Sequence, residues 1–375
     1  MADRGSRPDR PAHPYRDVGD HQRWHRAVTW APPGGLDPVV ATRLRIGPDD
    51  RIGTMGSCFA QHLSRHLARS GLGYYVAETA PPGTDDLEAA RRQYGTFSAR
   101  YGNVYTVTQA VQLFRRAYGD LVPAEEPWVR GSVLVDPFRP LVEPDGFADR
   151  DALEADRARH LAAVRHVFER SSVLVFTLGL TEAWRSRDDG SVFATAPGVD
   201  GGAYDPARYE FVNYGVDEVR AGLFELCDLV RSVNPAGRIL LTVSPVPLIA
   251  TYEPRHVLVS TTVSKAVLRV AADEALARFD FVDYFPSYEL IASATGTADH
   301  YEADRRSVTE VGVAHVMRVF THHYVEGRPW SAPSSGTLGA AAARALSTAA
   351  ADYPVICDEE AVAAAMDASA GEHGE

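Results

Sequence analysis

Residues 51–60 read RIGTMGSCFA. The first six, RIGTMG (51–56), read as a buried strand that stops at a glycine. The pattern then changes: Phe59, Leu63 and Leu67 recur at helical spacing, and Gly71 is a fitting stop. A strand that turns straight into a helix sets Ser57 and Cys58 beside the free N–H groups and positive end of that helix. Such a place stabilises an anion, favours a thiolate and offers backbone donors to an oxyanion. The plainer alternative makes Ser57 a helix N-cap and Cys58 a small apolar core residue.

The same alternation continues outward from this junction. GYYVAE (73–78) reads as a second strand, and SSVLVFTLG (171–179) as a third, preceded by the helical spacing of Leu161, Val164 and Phe168. RILLTVSPVP (238–247) follows a helix predicted over 216–233, and DFVDYF (280–285) follows one over 264–278. A last helix over 309–322 carries Val313, Val316, Met317 and Phe320 on one face. Continuous apolar strands joined by helices predict an α/β fold of three layers, a parallel sheet flanked by helices.

The Pro- and Gly-rich region at about 81–156 reads as an irregular insertion between the second and third strands. It should hold a hairpin in GSVLVDPF (131–138) and one clear helix over 106–117. Residues 1–22 read as a disordered leader. The domain spans 23–325, and 326–375 form an Ala-rich tail whose apolar face is too weak for a core element. Ligands of such sheets bind beyond the carboxyl ends of the strands. Ser57-Cys58, Thr181-Glu182 and Ser244-Pro245 each follow a predicted strand directly.

Composition excludes several functions. The chain has 375 residues and a net charge of −12, from 38 basic and 50 acidic side chains, which argues against nucleic acid or anionic membrane as partner. No apolar run reaches the roughly 18 residues of a membrane span. The first residues, MADRGSRPDRPAHPYRD, have no apolar core and do not form a secretion signal. Cys58, Cys227 and Cys357 are too scattered for a disulfide framework or a CxxC metal site, so a reducing cytoplasm is expected. His62 and His66 lie one helical turn apart, but with no third ligand they read as helix surface and no metal is expected. Lys265 is the only lysine. Codon bias explains the arginine preference, and the alternative is a compact point charge needed in a tight site.

GSCFA (56–60), TLGLTEAW (177–184), LTVSPVPL (241–248), SKAVLR (264–269) and YFPSYE (284–289) together resemble the GSCFA-domain family. That family is similar to the SGNH, or GDSL-type, hydrolases and acyltransferases. The resemblance implies an SGNH-like three-layer fold and a nucleophile in the first block, Gly-Asp-Ser-apolar. Laid on Gly56-Ser57-Cys58-Phe59, this block makes Cys58 the nucleophile and keeps Ser57 in reserve. The oxyanion glycine of the second block falls on Gly102, with Asn103 beside it. The third block, Gly-x-Asn-Asp, falls on Gly179-Leu180-Thr181-Glu182. Threonine there lacks the expected amide, which Asn103 or Asn213 would replace, while Glu182 has the alternative of a surface acid opening a helix.

The last block, Asp-x-x-His, departs from the pattern. Asp304-Arg305-Arg306-Ser307 carries serine where the base should be. His256, on the loop after the SPVP strand, is the expected replacement, with His300 as a further candidate and Asp304 or Glu182 as orienting carboxylate. Lys265 joins the substrate-binding candidates. The expected chemistry is attack of Cys58, its thiol pKa depressed, on an ester or thioester. The outcome is an esterase or an O-acyltransferase acting on a small ester, thioester or saccharide. No cofactor is implied beyond an acyl-CoA-type donor serving as substrate, and the oligomeric state is left open. A degenerate SGNH cleft that only binds a small molecule or glycan is the alternative.

Overall fold

A computed structural model describes residues 13–32, 34–293, 300–328 and 355–372. Its centre is a parallel sheet of β1 (Ile52–Gly56), β4 (Val173–Leu178), β8 (Arg238–Val243) and β9 (Val282–Tyr284), in the order β1-β4-β8-β9. Alternation along β4 sorts the two faces. Leu174, Phe176 and Leu178 point to the core shared with α4 (Arg150–Arg170), α5 (Val216–Val233) and α6 (Val257–Arg278). Val173 and Val175 point to the core shared with α1 (Ala60–Arg69), α7 (Ser287–Ala292) and α8 (Glu310–Tyr324). The predicted three-layer α/β architecture is thus the observed one, because strands buried on both faces need a helical layer on each side.

Several local expectations change. GYYVAE forms no strand: Tyr74 makes a single parallel bridge to Ile52 before Ala77 and Glu78 turn their N–H groups to the Ser98 carbonyl. The insertion therefore follows the first sheet strand rather than the second. It contains α2 (Asp86–Arg91), α3 (Val107–Tyr118), whose N-cap Thr106 forms a capping box with Gln109, and the hairpin β2 (Trp128–Arg130) with β3 (Val133–Val135). A second, antiparallel sheet in the order β6-β5-β7 was not anticipated. It joins β5 (Glu182–Ser186), β6 (Val192–Phe193) and β7 (Tyr209–Asn213). Helix α6 starts seven residues before the predicted boundary, taking in the β-branched run from Val257 to Val263.

Of the predicted disordered leader, residues 1–12 lie outside the described residues, while Asp20–Gln22 form a 3-10 turn. The tail is more consequential: residues 355–357 and α9 (Asp358–Glu372) include buried positions that meet the domain.

Two features hold the end of β1 in place. One is Gly56, with φ +136°, where a Cβ would stand 2.4 Å from the Thr177 carbonyl oxygen of the paired strand. Gly56→Ala is therefore expected to lose about 2–4 kcal/mol of stability through backbone strain and the clash. An unchanged urea midpoint for that variant would contradict this account. The other is Arg100, wholly buried, which ion-pairs with Glu143, with Asp156 at 3.3 Å and with Glu78 at 3.8 Å. Its guanidinium also donates to the carbonyls of Arg92 and Val142, each at 2.7 Å. This cluster ties the insertion to α4 and anchors the segment YGNVYT (101–106), which runs beside the end of β1.

Candidate active site

After Gly56 the chain turns at once. Ser57 N–H donates to Thr177 O at 3.1 Å, and the carbonyls of Ser57 and Cys58 accept from Ala60 N and Gln61 N, opening α1. Val104 N–H donates to Gly56 O at 2.8 Å, which lays YGNVYT along the same strand end. Gly179 packs on the junction from β4, where a Cβ would lie 3.0 Å from the Ser57 Cβ. Ser57 and Cys58 thus stand at the carboxyl end of β1, both buried. Ser57 does not cap α1: Phe59 holds the cap position, and the Ser57 hydroxyl has no hydrogen-bond partner.

The C-terminal segment crosses this junction. Gln61 clamps the Ile356 backbone, its Oε1 accepting from Ile356 N at 3.0 Å and its Nε2 donating to Ile356 O at 2.6 Å. Asn103 Nδ2 donates to Ile356 O at 3.0 Å and to Asp358 Oδ2 at 2.7 Å. Asp358 N–H donates to the Tyr105 hydroxyl at 3.2 Å. These anchors set Cys357 beside Cys58, close enough for each thiol to shift the other's pKa. Arg306 Nη2 lies 3.5 Å from Cys357 Sγ and pairs with Glu359, whose Oε1 accepts from Ile249 N at 3.2 Å. Lys265, fully buried, donates from Nζ to Gly179 O at 2.7 Å.

Of the two thiols, Cys357 is the one that favours the thiolate. The neighbouring Cys58 thiol, opposed by burial but aided by Arg306 and Tyr105, lowers the Cys357 thiol to about 5. The Cys357 thiol beside it, burial and the nearby Cys357 and Glu359 charges push the Cys58 thiol well up. The expected depressed thiol at Cys58 is therefore corrected: the helix end is outweighed by a second sulfur with a guanidinium beside it. Burial brings Lys265 down to about 8 against the pull of Glu359 and Cys58, and raises Glu359 to about 7.

Asp358 is also raised to about 7, chiefly by burial, with the Asp200 and Cys357 charges adding to it against hydrogen bonds from Asn103 and Tyr105. A raised carboxyl stabilises docking fully below its undocked value of 3.8 and loses that contribution as pH climbs through about 7. Asp358→Asn, a neutral isostere, should remove this loss. At pH 8 the segment is expected to exchange amide hydrogens roughly tenfold or more slowly in the variant than in the wild type. At acidic pH the two should match, and equal protection at pH 8 would overturn the assignment.

The GSCFA family model matches residues 51–320, well over half of the chain. This protein belongs to the GSCFA family. In this GSCFA chain Cys58, Lys265 and Arg306 fall inside the matched span, whereas Cys357, Asp358 and Glu359 fall beyond it. Among curated proteins none matches. Among solved structures a Clostridium thermocellum family 3 carbohydrate esterase is similar at 11% identity and a TM-score of 0.31, over 73% of this chain and 94% of that one.

The remaining predicted residues of the GSCFA chain divide into groups. Asn103 Oδ1 accepts from Gln61 Nε2 at 3.2 Å beside the junction, and Gly102, with φ +68°, precedes it in the chain. Thr181 donates from its hydroxyl to Asn213 Oδ1 at 2.8 Å, and Asn213 donates to Glu253 at 2.9 Å. Glu182 opens strand β5, not a helix, and accepts from the Thr251 hydroxyl at 2.7 Å. His256 is exposed, and its Nδ1 accepts from Leu258 N at 3.1 Å as the N-cap of α6. Asp304 closes its own turn, accepting from Arg306 N and Ser307 N, each at 2.9 Å. His300 packs on His315 with ring centroids 5.6 Å apart.

Among the described residues, no hydrogen bond joins His256, His300, Glu182 or Asp304 to Ser57 or Cys58. His62 and His66 are half-buried rather than free surface and line a cavity of about 490 Å³ between α1 and α8. Among the described residues there is no cluster of metal-ligating side chains, and no helix is long and apolar enough to cross a membrane. Sequence reasoning missed Cys357, Glu359, Arg306 and Tyr105. Only the Cys-Asp-Glu run at 357–359, breaking an Ala-rich stretch, hinted at the first two.

Proposed function

We propose that the cleft performs acyl-group chemistry, hydrolysis or O-acyl transfer, with Cys58 as nucleophile. The observation that carries this reading is that Cys58 shares one buried cluster with Lys265, the only lysine, at a strand–helix junction. Withdrawal of the C-terminal segment exposes the thiol. Lys265, lowered to about 8, is neutral in part near neutral pH and takes the Cys58 proton. The thiolate then attacks the carbonyl of a small ester or thioester, which includes an acyl-CoA-type donor. N–H groups of the first turn of α1 face the developing oxyanion. The donor C–O or C–S bond breaks and the alcohol or thiol leaves with the proton from Lys265. Water or a sugar hydroxyl then attacks the thioester intermediate and releases the Cys58 thiol.

Lysine replaces the expected histidine base in this scheme, since His256 is committed to capping α6. A second reading, a non-catalytic pocket for a small molecule or glycan, is favoured by the chain's own segment filling the cleft. Incubation with chromogenic short-chain esters and acyl-CoA thioesters, followed by peptide mass mapping, separates the two. An acyl group on Cys58 supports catalysis. Ligand protection without any adduct or turnover across both substrate classes supports the binding reading.

A further inference from the structure

We infer that Cys58 and Cys357 form a peroxide-responsive thiol pair, whose disulfide locks the C-terminal segment across the cleft. This inference concerns the two sulfurs alone and stands apart from the acyl reading. Its ground is the construction around them. The Gln61 side chain grips both backbone groups of Ile356, at 3.0 and 2.6 Å, while Gln61 N–H donates to Cys58 O at 3.1 Å. A single residue thus fixes the neighbour of Cys357 to the turn that holds Cys58. Asn103 adds a second grip on Ile356 O at 3.0 Å, which holds Cys357 beside Cys58.

The surroundings assign the two sulfurs different tasks. Arg306 Nη2 at 3.5 Å and the Tyr105 hydroxyl at 3.8 Å face Cys357 Sγ, so a thiolate there is matched by a cation and a donor. Cys58 lies deeper and holds a proton, which suits a resolving thiol. Cys357 is only 7% exposed, so a small oxidant is the fitting co-reactant. The Cys357 thiolate attacks one oxygen of hydrogen peroxide, the O–O bond breaks, and hydroxide leaves with a proton as water. Cys357 is then a sulfenic acid. The Cys58 sulfur attacks that sulfur, the S–O bond breaks, and a second water leaves with the Cys58 proton. In sum, two thiols and one peroxide give one disulfide and two waters.

Cys227 supplies an internal reference. It lies in the core on α5, fully buried, its thiol pushed up to about 12 by burial. The test treats the reduced full-length protein with hydrogen peroxide near pH 6, quenches with an alkylating agent, and maps peptides without reduction. The expected result is a linked Cys58–Cys357 peptide with Cys227 alkylated and unlinked. Cys357 should be consumed about tenfold or more faster than Cys227. In Cys58→Ser, Cys357 should stop at a sulfenic acid that dimedone traps. A disulfide that includes Cys227, a link only between chains, a Cys357 oxidised past sulfenic acid while Cys58 stays free, or no reaction at all would each overturn the inference. The wild-type map decides the matter even where a variant fails to fold.

Discussion

Cys58→Ala is expected to lower ester or thioester turnover by roughly 10³-fold or more, as loss of a covalent nucleophile does. Ser57→Ala is expected to leave turnover within about a factor of three. The Ser57 hydroxyl is buried with no hydrogen-bond partner, and deleting an unsatisfied group is close to neutral. Steady-state kinetics on a chromogenic ester would measure both. The reverse pattern, with Cys58→Ala active and Ser57→Ala silent, would make Ser57 the nucleophile. Lys265→Met provides a further check, because it should remove the rise of kcat towards the lysine value of about 8.

Arg100→Met is expected to cost about 3–5 kcal/mol, the usual effect of breaking a buried ion pair from one side. The variant leaves Glu143, Asp156 and Glu78 facing one another around an apolar side chain. Tyr94 loses the guanidinium that sits 4.2 Å above its ring. Urea denaturation measures the effect, and a loss under about 1 kcal/mol would show that Arg139 and Arg92 carry the cluster without it. Acid should act on the same cluster in the wild type. Burial would raise the Glu78 carboxyl, but His160, Arg139 and the Arg100 N–H bring it down to about 2. A depressed carboxyl contributes stability above its unfolded value of 4.5, and that contribution is lost as pH falls towards about 2.

The sheet and the junction were legible in the chain because both are local. Strands buried on two faces carry an apolar run with no alternation, and a change to helical spacing marks where β1 hands over to α1. GYYVAE misled because β propensity describes a side chain that suits a pleated surface, not one that has found partners. Gly73 instead brings the backbone against Asp50, whose carbonyl oxygen a Cβ would meet at 2.1 Å. The run from Val257 to Val263 failed the other way, as packing and the His256 cap overrode weak helix propensity. The cluster around the thiols was illegible because its parts stand far apart in the chain. Nothing local in an Ala-rich tail tells that Ile356 has a glutamine waiting for it at position 61.

Lys265 has one more consequence, and it is practical. Because the chain contains no second lysine, an amine-directed acylating reagent finds a single side-chain target, with the α-amino group as its only rival. That target is 1% exposed. It meets the reagent only when the cleft uncovers it. The protein therefore carries its own occupancy gauge: the fraction labelled at Lys265 tracks how often the cleft stands open.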